Sequence, residues 1–167
     1  FKNLARKNIK AFIDNGVKKI IVSSPHCFHT FKNEYPEFMV NFEIVHINQF
    51  LLQLIEQGRL ELQGELPKTV TYHDPCYLGR HNHIYDEPRE LLKKVTNLHL
   101  VEMENKRKMS LCCGGGGGRI WMDTPQEERF SDLRLQQAKD TGVQILVTSC
   151  PYCITSFEES RLNIGFE

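Results

Sequence analysis

The stretch Thr141-Gly142-Val143-Gln144-Ile145-Leu146-Val147-Thr148-Ser149-Cys150-Pro151-Tyr152-Cys153 decides the fold. Its first half is a short apolar run rich in β-branched residues, which reads as a buried strand over 144–148. Its second half is a turn with a proline, set where a first helical turn needs no amide donor. A helix over 150–159 follows. The same design occurs earlier, as Asn15-Gly16-Val17-Lys18-Lys19-Ile20-Ile21-Val22-Ser23-Ser24-Pro25-His26-Cys27, and Phe31 then matches Phe157. Two strand–turn–helix units of one pattern point to an internal repeat.

Working outward, helices are expected over 4–15, 28–34, 48–57, 87–95 and 125–141, the last long and amphipathic with Thr124 as its cap. Strands are expected over 17–22, 42–46, 69–72 and 98–102, and 60–66 is a linker or a short strand. Strands alternating with helices predict an α/β fold with mainly parallel sheets flanked by helices. The repeat divides the chain into residues 1–66, the C-terminal part of a degenerate first copy, and residues 67–167, a complete second copy. Phe1 opens inside a helix, as in a piece of a longer polypeptide.

Balanced charge, 21 basic against 21 acidic residues, argues against nucleic acid as a partner and against a polybasic membrane patch. No apolar run approaches the ~20 residues of a membrane span, and no signal peptide is visible. These features fit a cytoplasmic location, with any membrane association supplied by another segment or subunit.

The chemistry is concentrated in Leu111-Cys112-Cys113-Gly114-Gly115-Gly116-Gly117-Gly118-Arg119. Five glycines bury no side chain and cost backbone entropy, but they let main chain approach a group closely. With Cys76, Cys150 and Cys153 the pattern is C-x35-CC-x36-C-x-x-C. Adjacent cysteines and motif-like clustering favour a metal centre over a disulfide framework. Thiolates ligate iron–sulfur clusters and closed zinc sites. Cys150 and Cys153 at a strand-to-helix turn aim two sulfurs at one point, and the helix amides favour thiolate there. Cys76 also follows a strand, so all three pieces converge at the carboxyl ends of the strands. Five thiolates exceed what a tetrahedral zinc or an ordinary cubane needs, so one is spare or the cluster is unusual.

This pattern, with Tyr72-His73-Asp74-Pro75-Cys76-Tyr77-Leu78-Gly79-Arg80, resembles the cysteine-rich CCG domain of heterodisulfide reductase subunits B and D and of the glycolate oxidase iron–sulfur subunit. The resemblance covers nearly the whole chain. It implies a noncubane [4Fe-4S] cluster held by Cys76, Cys112, Cys113, Cys150 and Cys153, with zinc as the alternative metal. It also implies an oxidoreductase subunit within a larger complex. Electrons would come from a flavin or ferredoxin-type iron–sulfur partner and leave to a disulfide, a quinone-linked or membrane subunit, or another carrier. Ser24, standing where Cys150 stands, implies that the first copy has lost its site. The rivals are a non-catalytic module with structural zinc and a thiol–disulfide exchanger using Cys150 and Cys153 alone.

Other residues carry two readings each. Cys27 is a small buried residue or a ligand completed elsewhere. His73 contacts the cluster or only fixes its turn. His81 and His83 read as surface residues, and Trp121 as packing. Arg80 and Arg119 bind an anion, shield cluster charge, or are helix-end cations. The glycine run lacks the Gly-Lys-Ser/Thr ending of a phosphate loop, which argues against nucleotide binding.

Overall fold

The computed structural model describes residues 1–166. Its elements alternate in the order α1 (Lys2–Asp14), β1 (Lys19–Val22), α2 (Pro25–His29), β2 (Glu43–His46), α3 (Ile47–Glu56), β3 (Thr69–His73), α4 (Asp86–Lys93), β4 (His99–Leu100), α5 (Phe130–Asp140), β5 (Ile145–Thr148) and α6 (Pro151–Ile164). This is the expected α/β fold, with parallel strands flanked by helices. β1 pairs with β2, Lys19 opposite Glu43. In the second sheet β3 lies between β4 and β5, with Val70 opposite both Leu100 and Ile145. Being central, β3 buries Val70, Thr71, Tyr72 and His73 in succession, as a strand covered on both faces should.

The two sheets meet at the carboxyl ends of their strands. Phe28, Leu78 and Ile84 form one buried cluster, joined by Val22 and Ile44, so α2 packs on the loop that follows β3. Polar contacts cross the same seam: Asn48 Nδ2 donates to Ser149 Oγ at 2.5 Å, and Tyr72 Oη lies 3.0 Å from the same hydroxyl. α5 and α6 cover the second sheet, with Leu135 and Phe157 in a core that includes Cys113, Cys150 and Cys153.

Several expectations need correction. The helix expected over 125–141 begins only at Phe130. Residues 126–128 form a 3-10 turn, and extended Arg129 ties back through Nε to the Thr124 carbonyl at 3.0 Å. Thr124 therefore caps nothing by its side chain. The buried residues of α5 are Ser131, Asp132, Arg134, Leu135 and Ala138, a mostly polar set rather than the apolar stripe of an amphipathic helix. The strand expected over 98–102 pairs only through His99 and Leu100, because the chain then leaves the sheet for the loop leading to Cys112. The helix expected from Phe28 starts at Pro25, where the ring is tolerated at the first position, and runs into a π-helical turn over Thr30–Glu34. Residues 60–66 form no strand beyond one isolated bridge, Glu65 to Thr96. Trp121 is 85% exposed and packs nothing.

Candidate metal centre

Three elements deliver the five cysteines. α6 begins at Cys150, which has extended backbone, with Pro151 at the first helical position. The amides of Tyr152 and Cys153 therefore turn toward the Cys150 sulfur, as at any helix N-terminus. Cys76 sits in the turn that follows β3 and His73-Asp74-Pro75. Cys112 and Cys113 arrive on the irregular segment after Ser110. The thiols are neighbours in a continuous run, each shifting the titration of the next: Cys76 to Cys112, Cys112 to Cys113, Cys113 to Cys153, Cys153 to Cys150, with Cys113, Cys150 and Cys153 in one buried cluster. Cys113, Cys150 and Cys153 are buried, while Cys76 and Cys112 are half-exposed, so the cluster of sulfurs opens on one side. All six cysteines are free thiols, and Cys27 is exposed and apart from the group. Its reading as a buried small residue is therefore wrong.

The electrostatics follow from crowding. Five thiols cannot all ionise side by side. Cys112 falls to about 2, first because the Cys113 and Cys76 thiols donate to it, then through the Gly114 amide and the Arg80 charge. Cys150 falls to about 5, through the Cys153 thiol first and then His26. Cys113 rises to about 11 beside Cys112. Cys76 and Cys153 rise further, held protonated by their hydrogen bonds to Cys112 and to Cys113 and Cys150. A soft cation would convert every one of these thiols to thiolate.

The glycines do different work. Gly114 has φ +79, and its amide donates to Cys112 Sγ at 3.4 Å. A Cβ on Gly115 would lie 2.3 Å from Ser156 Oγ and 3.4 Å from the Tyr152 carbonyl. Gly115 is therefore fixed by its contact with α6, and not only by an approach to metal. Gly116, Gly117 and Gly118 have open space around them.

Two buried arginines brace the site, and nothing in the sequence pattern singled them out. Arg89 on α4 grips Asp74 through two hydrogen bonds at 2.7 and 2.9 Å and Glu102 at 2.6 and 3.0 Å. Asp74 also accepts from the Arg107 amide at 2.8 Å. This locks the turn that carries Cys76. Arg134, fully buried on α5, donates through Nε to His73 Nδ1 at 3.1 Å and through its terminal nitrogens to Asn105 O, Gln137 Oε1 and Ser110 Oγ. Burial lowers His73 to about 3, with the Arg134 charge second, so the ring is neutral. A His73 ring nitrogen and the Cys113 and Cys153 sulfurs all lie within 4.8 Å of one another.

Arg80 and Arg119 part company. The Arg80 guanidinium reaches Ser110 O at 2.9 Å on the Cys112 side. Arg119 lines a cavity of about 60 Å³ with Cys113, Gly114 and Gly115. His81 and His83 are exposed. His81 stacks beside Tyr77, its ring 4.6 Å away, and His29 completes the group.

The donor set fits an iron–sulfur group: soft sulfurs, directed amides and a buried cation with no carboxylate against it. The family model for CCG, the cysteine-rich domain, matches residues 1–32 and 70–158. The chain is 44% identical over 155 residues to a probable iron-sulfur-binding oxidoreductase, FadF, of Bacillus subtilis (strain 168), covering 93% of this chain and 22% of that protein. It is 39% identical over 162 residues to an EtfAB:quinone oxidoreductase of Syntrophomonas wolfei, covering 93% and 22%. It is 33% identical over 163 residues to the D-type polypeptide of a dihydromethanophenazine:CoB–CoM heterodisulfide reductase of Methanosarcina barkeri, covering 96% and 40%. The chain thus spans about a fifth to two fifths of the length of these relatives.

Proposed function

We propose, from the premise that the chain belongs to the cysteine-rich CCG domain family, that it is the iron–sulfur part of an oxidoreductase and passes electrons through one five-cysteine centre. Cys76, Cys112, Cys113, Cys150 and Cys153 are its ligands in this reading, and a noncubane [4Fe-4S] cluster is its cofactor. The observation that carries the reading is the single contiguous run of five thiols drawn from three separate segments. When bound, the group supplies one-electron redox chemistry and, at an open coordination position, a place for a substrate sulfur. The chain's own residues do the rest. Gly114 and the start of α6 direct amides at sulfur, Arg80 and Arg134 offset negative charge, and Cys76 and Cys112 lie on the open side where a partner or substrate reaches the centre.

A quinone and a heterodisulfide stand in the names of relatives, which supports an acceptor of that kind; a flavin or ferredoxin-type iron–sulfur donor and a membrane-linked subunit are what the family resemblance implies. Among the described residues no helix is long and apolar enough to cross a membrane, so an attachment to membrane would come from elsewhere. Residues 1–66 and 67–167 are, in this reading, a degenerate and a complete copy of one unit. A thiol–disulfide exchanger at Cys150 and Cys153 is disfavoured because both are 2% exposed, leaving an incoming disulfide no access.

Metal analysis of the full-length protein purified anaerobically tests the proposal. The expected result is iron with acid-labile sulfide, about four irons per chain. One zinc per chain, with no iron after anaerobic reconstitution, would leave the structural-zinc reading standing instead.

A further inference from the structure

Arg134 is a buried cation with no anion in direct contact. Its residue is fully buried, and its partners are an imidazole nitrogen, a carbonyl, an amide oxygen and a hydroxyl, all neutral. The nearby carboxylates are engaged elsewhere: Asp74 and Glu102 are both held by Arg89. Burial lowers the guanidinium only to about 10, so it remains charged at neutral pH. Asp74 and Glu102 reach it only through space; a buried charge with no counter-charge in contact is costly, and a fold keeps one where an opposite charge completes it. The sulfur site next to His73 is the place for that charge.

The pairing also fixes a tautomer. Arg134 Nε can only donate, so His73 Nδ1 must accept. The neutral ring then carries its proton on Nε2, the one hydrogen-bond donor it can offer the adjoining sulfurs. Phe157, edge-on with its ring 4.9 Å away, holds the imidazole plane. Orienting a histidine through its second nitrogen is a common way to tune a metal site.

We propose that Arg134 is a positioning residue which, through His73, presents an N–H donor and a buried positive charge to the cluster and raises its reduction potential. This inference rests on the iron–sulfur reading above. The added electron makes a cluster more negative, so a fixed positive charge and a hydrogen bond to sulfur favour the reduced state.

A purely structural Arg134, pinning the loop through Asn105 and Ser110, is the competing role. Two substitutions separate them in the full-length protein. Arg134→Gln and Arg134→Lys both lose the guanidinium fork, but only glutamine removes the charge. Potentials are read by redox titration with electron paramagnetic resonance, and iron content is measured alongside. The expected result is a shift to more negative potential for Arg134→Gln of about 59 mV or more, a tenfold change in the one-electron equilibrium. Arg134→Lys should recover most of it. Loss of iron from the glutamine variant but not the lysine variant is the stronger form of the same outcome. Equal potentials in all three proteins, or equal losses in both variants, would assign Arg134 to structure alone and overturn the proposal. Absence of iron from the unsubstituted protein would instead remove the iron–sulfur reading, and this inference with it.

Discussion

The turns at Ser24 and Cys150 share a backbone and little else. Each follows a parallel strand, each has extended backbone at the cap, and each places proline at the first helical position. At the second turn the cap is a thiol, and Cys153 one turn on is buried against it. At the first, the cap hydroxyl of Ser24 is buried without a hydrogen-bond partner, and Cys27 faces solvent. The first helix soon gives way to a π-helical turn, whereas α6 runs on to Ile164. A strand–turn–helix frame is thus a holder, and the site exists only where other segments bring sulfur to it. The first turn is a wall instead. His26 helps to lower the Cys150 thiol, and its ring lies 4.2 Å from Tyr77 and 5.0 Å from Tyr152.

The largest effect should come from exchanging the two caps. Cys150→Ser makes the second turn resemble the first and should remove most of the bound iron. Ser24→Cys restores the C-x-x-C of the first turn yet should add no second cluster, because nothing supplies its remaining ligands. Iron per chain and Mössbauer spectra read both, and two CCG-type clusters in either the natural protein or the Ser24→Cys variant would break the comparison.

A smaller effect separates glycines. Gly115→Ala forces a Cβ to 2.3 Å from Ser156 Oγ and should cost about 1–3 kcal/mol by overpacking, with loss of metal. Gly58→Ala, at a helix end with φ +65 and open space, should cost only the ~1–2 kcal/mol of a left-handed alanine and keep all its metal. Thermal denaturation and metal assay on both variants decide whether the glycine run is shaped by α6 or is a slack loop.

The smallest effect concerns the histidines that end one strand in each sheet. His46 and His73 are both buried, and burial lowers both below the ordinary histidine value. The unfolded chain then binds more protons than the fold as pH falls. The part of the metal-free protein's stability that these histidines carry should be full above pH ~6.5 and be lost progressively below it, by at most roughly 1.4 kcal/mol per pH unit for His73. Urea denaturation of metal-free natural protein and of His73→Gln at pH 7.5 and 5.5 measures this, the shared cysteine contribution cancelling in the difference. An equal pH dependence in the two proteins would mean that His73 protonates freely in the fold.

The α/β alternation, both turns and the cysteine spacing were legible because they rest on local pattern: β-branched runs, a proline at a helix start, cysteines beside strand ends. Arg134 was not. Its position in α5 looks like the polar side of a surface helix, and only tertiary packing turns it inward onto His73. Arg89 and Asp74 escaped for the same reason, since their pairing joins α4 to the loop after β3. The late start of α5 depends on one side chain, Arg129, bonding back to Thr124. The role of Gly115 was half-read: the need for close approach was visible, but the partner, Ser156, lies 41 residues on.

The central claim is that five sulfurs serve one centre, and Cys113 tests it most directly because a cubane needs only four thiolates. Iron and sulfide should be counted in Cys113→Ala, with Cys27→Ala as control and circular dichroism to confirm that both fold. The account predicts a marked loss of iron in the first and full content in the second. A folded Cys113→Ala protein with the full complement of iron would contradict it.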